Sequence, residues 1–292
     1  PPKTSFLLIT SRWHFTLPGL KSFDLEALSE QDAVNLLLTI EPRLKDSASF
    51  LASLCEYLPL ALRLSASAFA DQPSCPLKEF LARFTNTQSR LQLTGMDTSL
   101  QVSYDLLPPN LQAKLRFLSV FPAPFDRRAA AAVWDLDEQT AQPSLDSLVT
   151  ASLLDYDELT GFRLHDLGRA FASAKLSSEE SYTTSLHHAS HYLNIARQAS
   201  ALYKQGGDHI LAGLRLFDLH WPHIRQGQAW ASAQPETDQR AIRLCNEYPA
   251  AITSIRSLRL HPEQQIAWLQ TALTVARLTG NKEYQGYHMG SL

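Results

Sequence analysis

The chain has 292 residues, 45% of them hydrophobic and 19% charged, with a formal net charge of -3. That composition can bury cores and excludes a disordered tail, and the length points to two or more domains. The slight acidity gives no pull toward nucleic acid or an anionic membrane surface.

Phe6-Leu7-Leu8-Ile9 is an all-apolar run ending in Thr10-Ser11-Arg12, the pattern of a parallel strand buried on both faces. Ser22 to Leu25 reads as a second strand. Beyond it the chain is almost wholly helical, so these strands read as the edge of an α/β domain lying upstream. Ser29 to Asp32 resembles a capping box, with Ala33, Leu36, Leu37 and Ile40 behind it at helical spacing. Pro42 ends that helix. Phe50, Leu51, Leu54 and Leu58 form a second stripe, and Pro59 opens a third helix with Leu60, Leu64 and Ala68. Leu77, Phe80, Leu81 and Phe84 form a fourth. Four short helices with short connections predict a small bundle. Asn86 to Thr98, polar and containing Gly95, reads as a linker.

From Leu100 to Leu176 a second unit follows. Pro108-Pro109 separates two helices, Phe121 to Pro124 is a rigid turn, Asp126 caps a helix through Trp134, and Ser144 to Thr150 lies in another. Leu153 to Phe171 then reads strand, turn, strand, helix, with Gly161 supplying positive φ in the turn. Leu167, Ala170, Phe171 and Ala174 give that last helix an expected apolar stripe. His165-Asp166 falls at its start, where unpaired N–H groups and a partial positive charge can hold an anion. The plainer reading makes Asp166 an N-cap and His165 a satisfied hydrogen-bonding residue. Three helices and a hairpin match a winged helix, a fold that often enters DNA through its third helix. Between Ala129 and Phe162, however, there is no Lys or Arg and there are seven acids, which would repel a phosphate backbone.

Beyond Ser178 the chain is helical again. Leu186, Tyr192, Leu193 and Ile195 fall in one helix, Leu211, Leu214 and Phe217 in another, and Trp221, Ile224 and Trp230 mark a third. Ile266 to Leu278 is strongly periodic, and Thr279-Gly280-Asn281 turns the chain into a further helix. Successive helix–turn–helix units predict an α-solenoid. His187 and His191 have the i, i+4 spacing of a zinc pair but no further ligand nearby, so His187, His188 and His191 read as a solvated face and no metal is expected. Trp221, Trp230 and Trp268 read as packing between solenoid helices. Cys55, Cys75 and Cys245 form no CxxC pair, which suggests reduced thiols in a cytoplasmic protein. No run approaches the ~20 apolar residues of a membrane span, and the first residues carry too short an apolar core for a signal peptide.

Six stretches fall in one order: LLITSR at Leu7–Arg12, LSEQDA at Leu28–Ala33, YLPLAL at Tyr57–Leu62, LQVSYDLLP at Leu100–Pro108, FLSVFP at Phe117–Pro122 and RLHDL at Arg163–Leu167. Together, over roughly residues 5 to 176, they resemble the carboxyl-terminal two-thirds of the NB-ARC module of bacterial STAND-class nucleotide-regulated switches. The remainder, including LFDLHWPHI and WLQTALTVARLTGN, resembles the tetratricopeptide-like helices that often follow. The resemblance implies a mainly α fold: remnant strands of the nucleotide-binding domain at 1–28, a helical bundle at 29–94, a winged helix with a small hairpin wing at 95–177, and TPR-like solenoid helices at 178–292.

It also implies roles. Arg12 matches the sensor arginine facing the terminal phosphate of ATP. Pro59 matches the proline that packs on adenine. His165 matches the histidine that holds the β-phosphate of ADP, with Asp166 ordering that latch. A guanidinium suits phosphate oxygens, and an imidazole at a helix start suits an anion. Tyr57 stands where the family has glycine, which adds bulk near adenine, and Leu164 where it has methionine. No G-x-x-x-x-G-K-[ST] loop occurs among the 11 glycines, and no strand ends in paired acids for magnesium. The expectation is therefore no ATP hydrolysis by this chain and weak or no binding of nucleotide. ADP or ATP with Mg would bind only in the intact protein, where the upstream nucleotide-binding domain is the partner. The expected function is a regulatory fragment of a STAND switch, its helices open to protein partners. The alternatives are a DNA-binding winged-helix regulator, which the acidic wing disfavours, and a helical-repeat scaffold.

Overall fold

The computed structural model describes residues 25–91, 94–234 and 237–292, together with positions 8, 9, 18, 19, 21 and 23. Arg12 lies outside the described residues, as do most of the two expected amino-terminal strands. The described chain is mainly α-helical with a single two-stranded sheet.

Four helices come first: α1 (Glu30–Ile40), α2 (Ala48–Leu54), α3 (Pro59–Ala70) and α4 (Leu77–Leu91). Ser29 caps α1 by accepting the Asp32 N–H at 3.1 Å, and Pro59 occupies the first turn of α3, where a missing N–H costs nothing. Phe80 and Phe84 of α4 are buried, and Phe80 meets Phe69 of α3 with ring centroids 5.0 Å apart. Two expectations need correction here. Phe50 is half exposed, because α2 turns its Leu51 and Ala52 inward instead. Of the expected linker at 86–98, residues 92 and 93 lie outside the described residues and the rest is mostly helix: α4 continues to Leu91, and α5 begins at Gly95 with Thr94 as its N-cap. The polar look of this stretch misled because Thr87 and Gln88 continue the half-buried face of α4.

Next come α5 (Gly95–Asp105), α6 (Pro109–Leu118), α7 (Arg127–Trp134), α8 (Glu138–Thr150), strands β1 (Asp155–Asp157) and β2 (Gly161–Arg163), and α9 (Asp166–Ala174). The strands pair antiparallel with Tyr156 opposite Phe162. Phe125 bridges the other edge of β2, exchanging both backbone hydrogen bonds with Phe162 at 2.9 and 2.8 Å. Gly161 has φ +88°, and a Cβ there would lie 2.5 Å from the Phe125 carbonyl oxygen, so only glycine fits this crossing. Asp126 caps α7 by accepting the Ala129 N–H at 2.8 Å. The expected stripe of α9 is one residue out of phase. Leu167, Ala170 and Ala174 face solvent, while Ala172 is buried and Gly168 packs on Leu100 and Leu164.

Six helices complete the chain: α10 (Ser178–Gln205), α11 (His209–Ser232), α12 (Gln239–Ala251), α13 (Arg256–Arg259), α14 (Pro262–Leu278) and α15 (Lys282–Ser291). α10 opens on a capping box between Ser177 and Glu180. The two helices expected over Leu211–Phe217 and over Trp221–Trp230 are one, with Pro222 inside it. Interior proline costs about 3 kcal/mol, and Phe217, His223 and Ile224, all buried around it, hold α11 continuous. The tryptophans pack between helices: Trp221 of α11 stacks on Trp268 of α14 at 5.8 Å, and Trp230 meets Tyr182 of α10 at 5.6 Å. Cys55, Cys75 and Cys245 are free thiols. Among the described residues no helix is long and apolar enough to cross a membrane, and no group of three His, Cys, Asp or Glu is placed to hold a metal ion.

Candidate functional site

The site is built from two helix starts. At the first, Glu56 and Tyr57 both adopt left-handed backbone, with φ of 53° and 56°, between the end of α2 and Pro59. Two successive non-glycine residues in this region are strained, and the neighbourhood holds them. The Tyr57 carbonyl accepts the Leu28 N–H at 3.0 Å, and the Glu56 carboxylate accepts the Gly95 N–H at 2.7 Å. Gly95 itself lies so close to the end of α2 that a Cβ would sit 2.4 Å from the Leu54 carbonyl oxygen. Tyr57 thus takes the backbone conformation that a glycine would take most cheaply, and its ring is half-buried against the core. Pro59 is left exposed at the start of α3.

At the second start, β2 delivers the chain into α9. Leu164 is buried, and His165 and Asp166 are exposed. His165, rather than Asp166, is the N-cap: its Nδ1 accepts the Leu167 N–H at 3.2 Å. That bond assigns the neutral ring its proton on Nε2, leaving a donor at the amino-terminal, electropositive end of α9. Asp166 pairs with Arg169 one turn along, at 3.6 Å, and no hydrogen bond joins it to His165 among the described residues. Asp166 in the first turn also favours the helix through its dipole.

The two starts are held to one frame. α3 packs on α5, and α5 packs on α9. From α3, Arg63 reaches Asp155 of β1 at 3.1 Å, and the Ser67 and Ser152 hydroxyls meet at 2.8 Å. The Arg63 pair is about half exposed and contributes at most about 1 kcal/mol, so packing rather than charge fixes the frame. Of the four residues expected at a nucleotide, three are therefore described, and all three are exposed on elements that meet through α5.

A second feature escaped the sequence reading. His188 is fully buried, not on a solvated face. Its Nε2 lies 3.4 Å from Nδ1 of His223, and Nε2 of His223 lies 3.0 Å from the Pro124 carbonyl oxygen. The carbonyl can only accept, so His223 donates from Nε2 and accepts His188 at Nδ1, a directed chain running from α10 through α11 to the turn before α7. Tyr192 stacks on His223 with centroids 4.3 Å apart, and Phe121 meets both histidines edge-on. Burial pushes the His188 imidazole well below the usual histidine range and His223 down to about 4. Nearby, Arg116 of α6 donates to the Tyr104 hydroxyl at 2.7 Å and to the Glu180 carboxylate of α10, which it holds below the usual carboxylate range.

No family model matches the chain. It is 30% identical over 185 residues to the regulatory protein AfsR of Streptomyces griseus, and 31% identical over 179 residues to that of Streptomyces coelicolor. Those matches take in 59% and 57% of this chain but 19% and 18% of the relatives, so the chain matches about a fifth of their length. Among solved structures, a signal transduction ATPase with numerous domains (STAND) and a tetratricopeptide repeat sensor, from Pyrococcus horikoshii, superposes with a TM-score of 0.41 at 14% identity. That superposition covers 90% of this chain and 50% of the other.

Proposed function

We propose that the chain is the regulatory middle of a STAND-type signalling switch, the part that closes over a nucleotide held by another domain and passes the state on to a helical sensor. The carrying observation is His165: a solvent-facing imidazole that caps α9 through Nδ1 and keeps its Nε2–H directed outward. Such a donor, at the positive end of a helix, suits a diphosphate oxygen. Pro59 is exposed at the start of α3 and offers a rigid apolar face for a flat base. The order of α6, the Phe125 bridge, α7, α8, the hairpin and α9 supports reading residues 95–177 as a winged helix. The similarity to AfsR supports a regulatory role. ADP or ATP, with Mg, would be held by the upstream domain, and this chain by itself would neither hydrolyse ATP nor bind nucleotide tightly. With ADP bound, His165 keeps the winged helix closed. Exchange for ATP releases it, and the freed unit oligomerises.

The test uses a protein that contains the upstream domain. His165→Ala is expected to speed ADP release about tenfold or more, the loss of one charge-assisted hydrogen bond. An unchanged off-rate would overturn the latch. Isothermal titration of the 292-residue chain should give no ADP binding tighter than millimolar.

The AfsR similarity also favours a transcriptional output. On this reading too, the acidic α8 and wing do not enter DNA themselves, and an electrophoretic shift that weakens steeply with salt would argue otherwise.

A further inference from the structure

A cleft of about 830 Å³ runs between the start of α7, the exposed side of α8, the hairpin and α11. It lies apart from His165 and Pro59 and plays no part in the latch. Its floor is apolar: Phe125 and Phe162 are buried beneath it and Val149 is half-buried. Its lips are three apolar side chains in water, Tyr156 at 55%, Leu219 at 69% and Leu159 at 93% exposure. Leu159 is not on a floppy tip. The Asp157 carboxylate accepts the N–H groups of Leu159 and Thr160 at 2.9 Å each, together with the Thr160 hydroxyl, so the turn is built to hold that leucine outward.

The charges around the cleft are unequal. Arg127 and Arg128 share one carboxylate, Glu138, at 3.3 and 2.9 Å, which offsets one of their two charges. Glu158 on the turn has no partner among the described residues, and the Asp146 carboxylate on α8 accepts only the amide of Gln142, at 2.7 Å. With Asp126, Glu138, Asp146 and Glu158 set against Arg127 and Arg128, the cleft offers apolar walls and a rim that stays net negative. A nucleic acid would be repelled by that rim, and a purely apolar segment would leave the carboxylates facing nothing.

The geometry points to a docking groove for a short protein segment that carries bulky apolar side chains flanked by lysine or arginine. One aromatic or leucine side chain fills the floor over Val149, Leu159 and Tyr156 close over it, and the flanking cations meet Asp146 and Glu158. The inference does not rest on nucleotide regulation, and either can fail alone.

The test is selection of a random twelve-residue peptide library on the 292-residue chain, followed by binding measurements on the enriched peptides. Peptides rich in Leu, Phe or Trp with Lys or Arg, binding at micromolar Kd, are expected. Their affinity should fall tenfold or more with Leu159→Asp and with the pair Asp146→Lys and Glu158→Lys, surface changes that leave the circular dichroism unaltered. Raising salt should weaken binding by a few-fold, the response of one or two rim contacts. Failure to enrich any peptide, enrichment of acidic ones, or equal binding to both variants would overturn the groove. So would tighter binding of a random 20-base-pair duplex, abolished by Leu159→Asp.

Discussion

The proton chemistry of single residues decides how this molecule responds to acid. His223 is neutral in the folded protein because burial disfavours its charged form, and only the bond to Pro124 and the Asp126 carboxylate oppose that. His191 and His220, on the same two helices, add further positive charge if they protonate, and burial holds both below the usual histidine range. In the unfolded chain His223 would titrate near 6.5, whereas folded it titrates at about 4. The unfolded state therefore binds more protons between those values. Stability is fully present above pH ~6.5 and is lost as pH falls toward ~4, by roughly 3 kcal/mol from this residue. His188 pushes in the same direction. Urea unfolding at pH 7 and pH 4.5 should show that loss, and His223→Gln should reduce the dependence across this window, leaving the share of the other buried histidines. The carboxylates held low by their partners, Glu180 among them, act at more acidic pH and would leave the window's slope in place. A parallel slope in the variant would show that His223 is not the responsible group.

At the scale of elements, caps and joints carry the testable energies. Asp135 ends α7 in left-handed backbone, with φ 55°, and its side chain is exposed. Asp135→Gly removes that strain and should raise stability by about 0.5–1 kcal/mol, read as an increased urea midpoint at constant slope. Glu180 does two jobs, closing the capping box of α10 and accepting Arg116 of α6. Glu180→Ala should cost about 2 kcal/mol, and a double-mutant cycle with Arg116→Ala should return a coupling of about 1 kcal/mol or more. Elements of this kind were legible from the sequence because their causes are local: Ser29, Asp126 and Asn281 cap within three residues, Pro59 and Pro109 open helices, and Gly161 makes a turn. What the sequence did not disclose is the partner across the gap. His188 looks solvated until α11, 35 residues on, covers it. The α9 stripe reads one residue out of phase because Gly168 is recruited by Leu100, sixty-eight positions earlier. α11 reads as two helices because nothing nearby reveals the burial that carries it through Pro222.

On the scale of the whole molecule, one buried cluster runs from Ala33 to Ala272 without interruption. α10 is common to both halves of the region after residue 95. It packs on α6 and α7 on one side and on α11 and α12 on the other. Residues 95–292 should therefore unfold together. Calorimetry of the full chain should show a van't Hoff enthalpy close to the calorimetric one for this region. Two well-separated transitions, with α11–α15 melting first, would show that the Arg116–Glu180 and His188–His223–Pro124 connections do not couple the halves. The residues proposed to face a nucleotide were legible only through motif order. Their exposure could be read only once α3, α5 and α9 were seen to share a frame.

α10 has 28 residues and so spans about 42 Å. Anchored near its start by Glu180, it has a far end that moves about 3 Å for every 5° of tilt there, by the same helix geometry. An event no larger than a rotamer change beside α6 can thereby be geared up into a displacement large enough to break side-chain contacts at the opposite rim of the repeats.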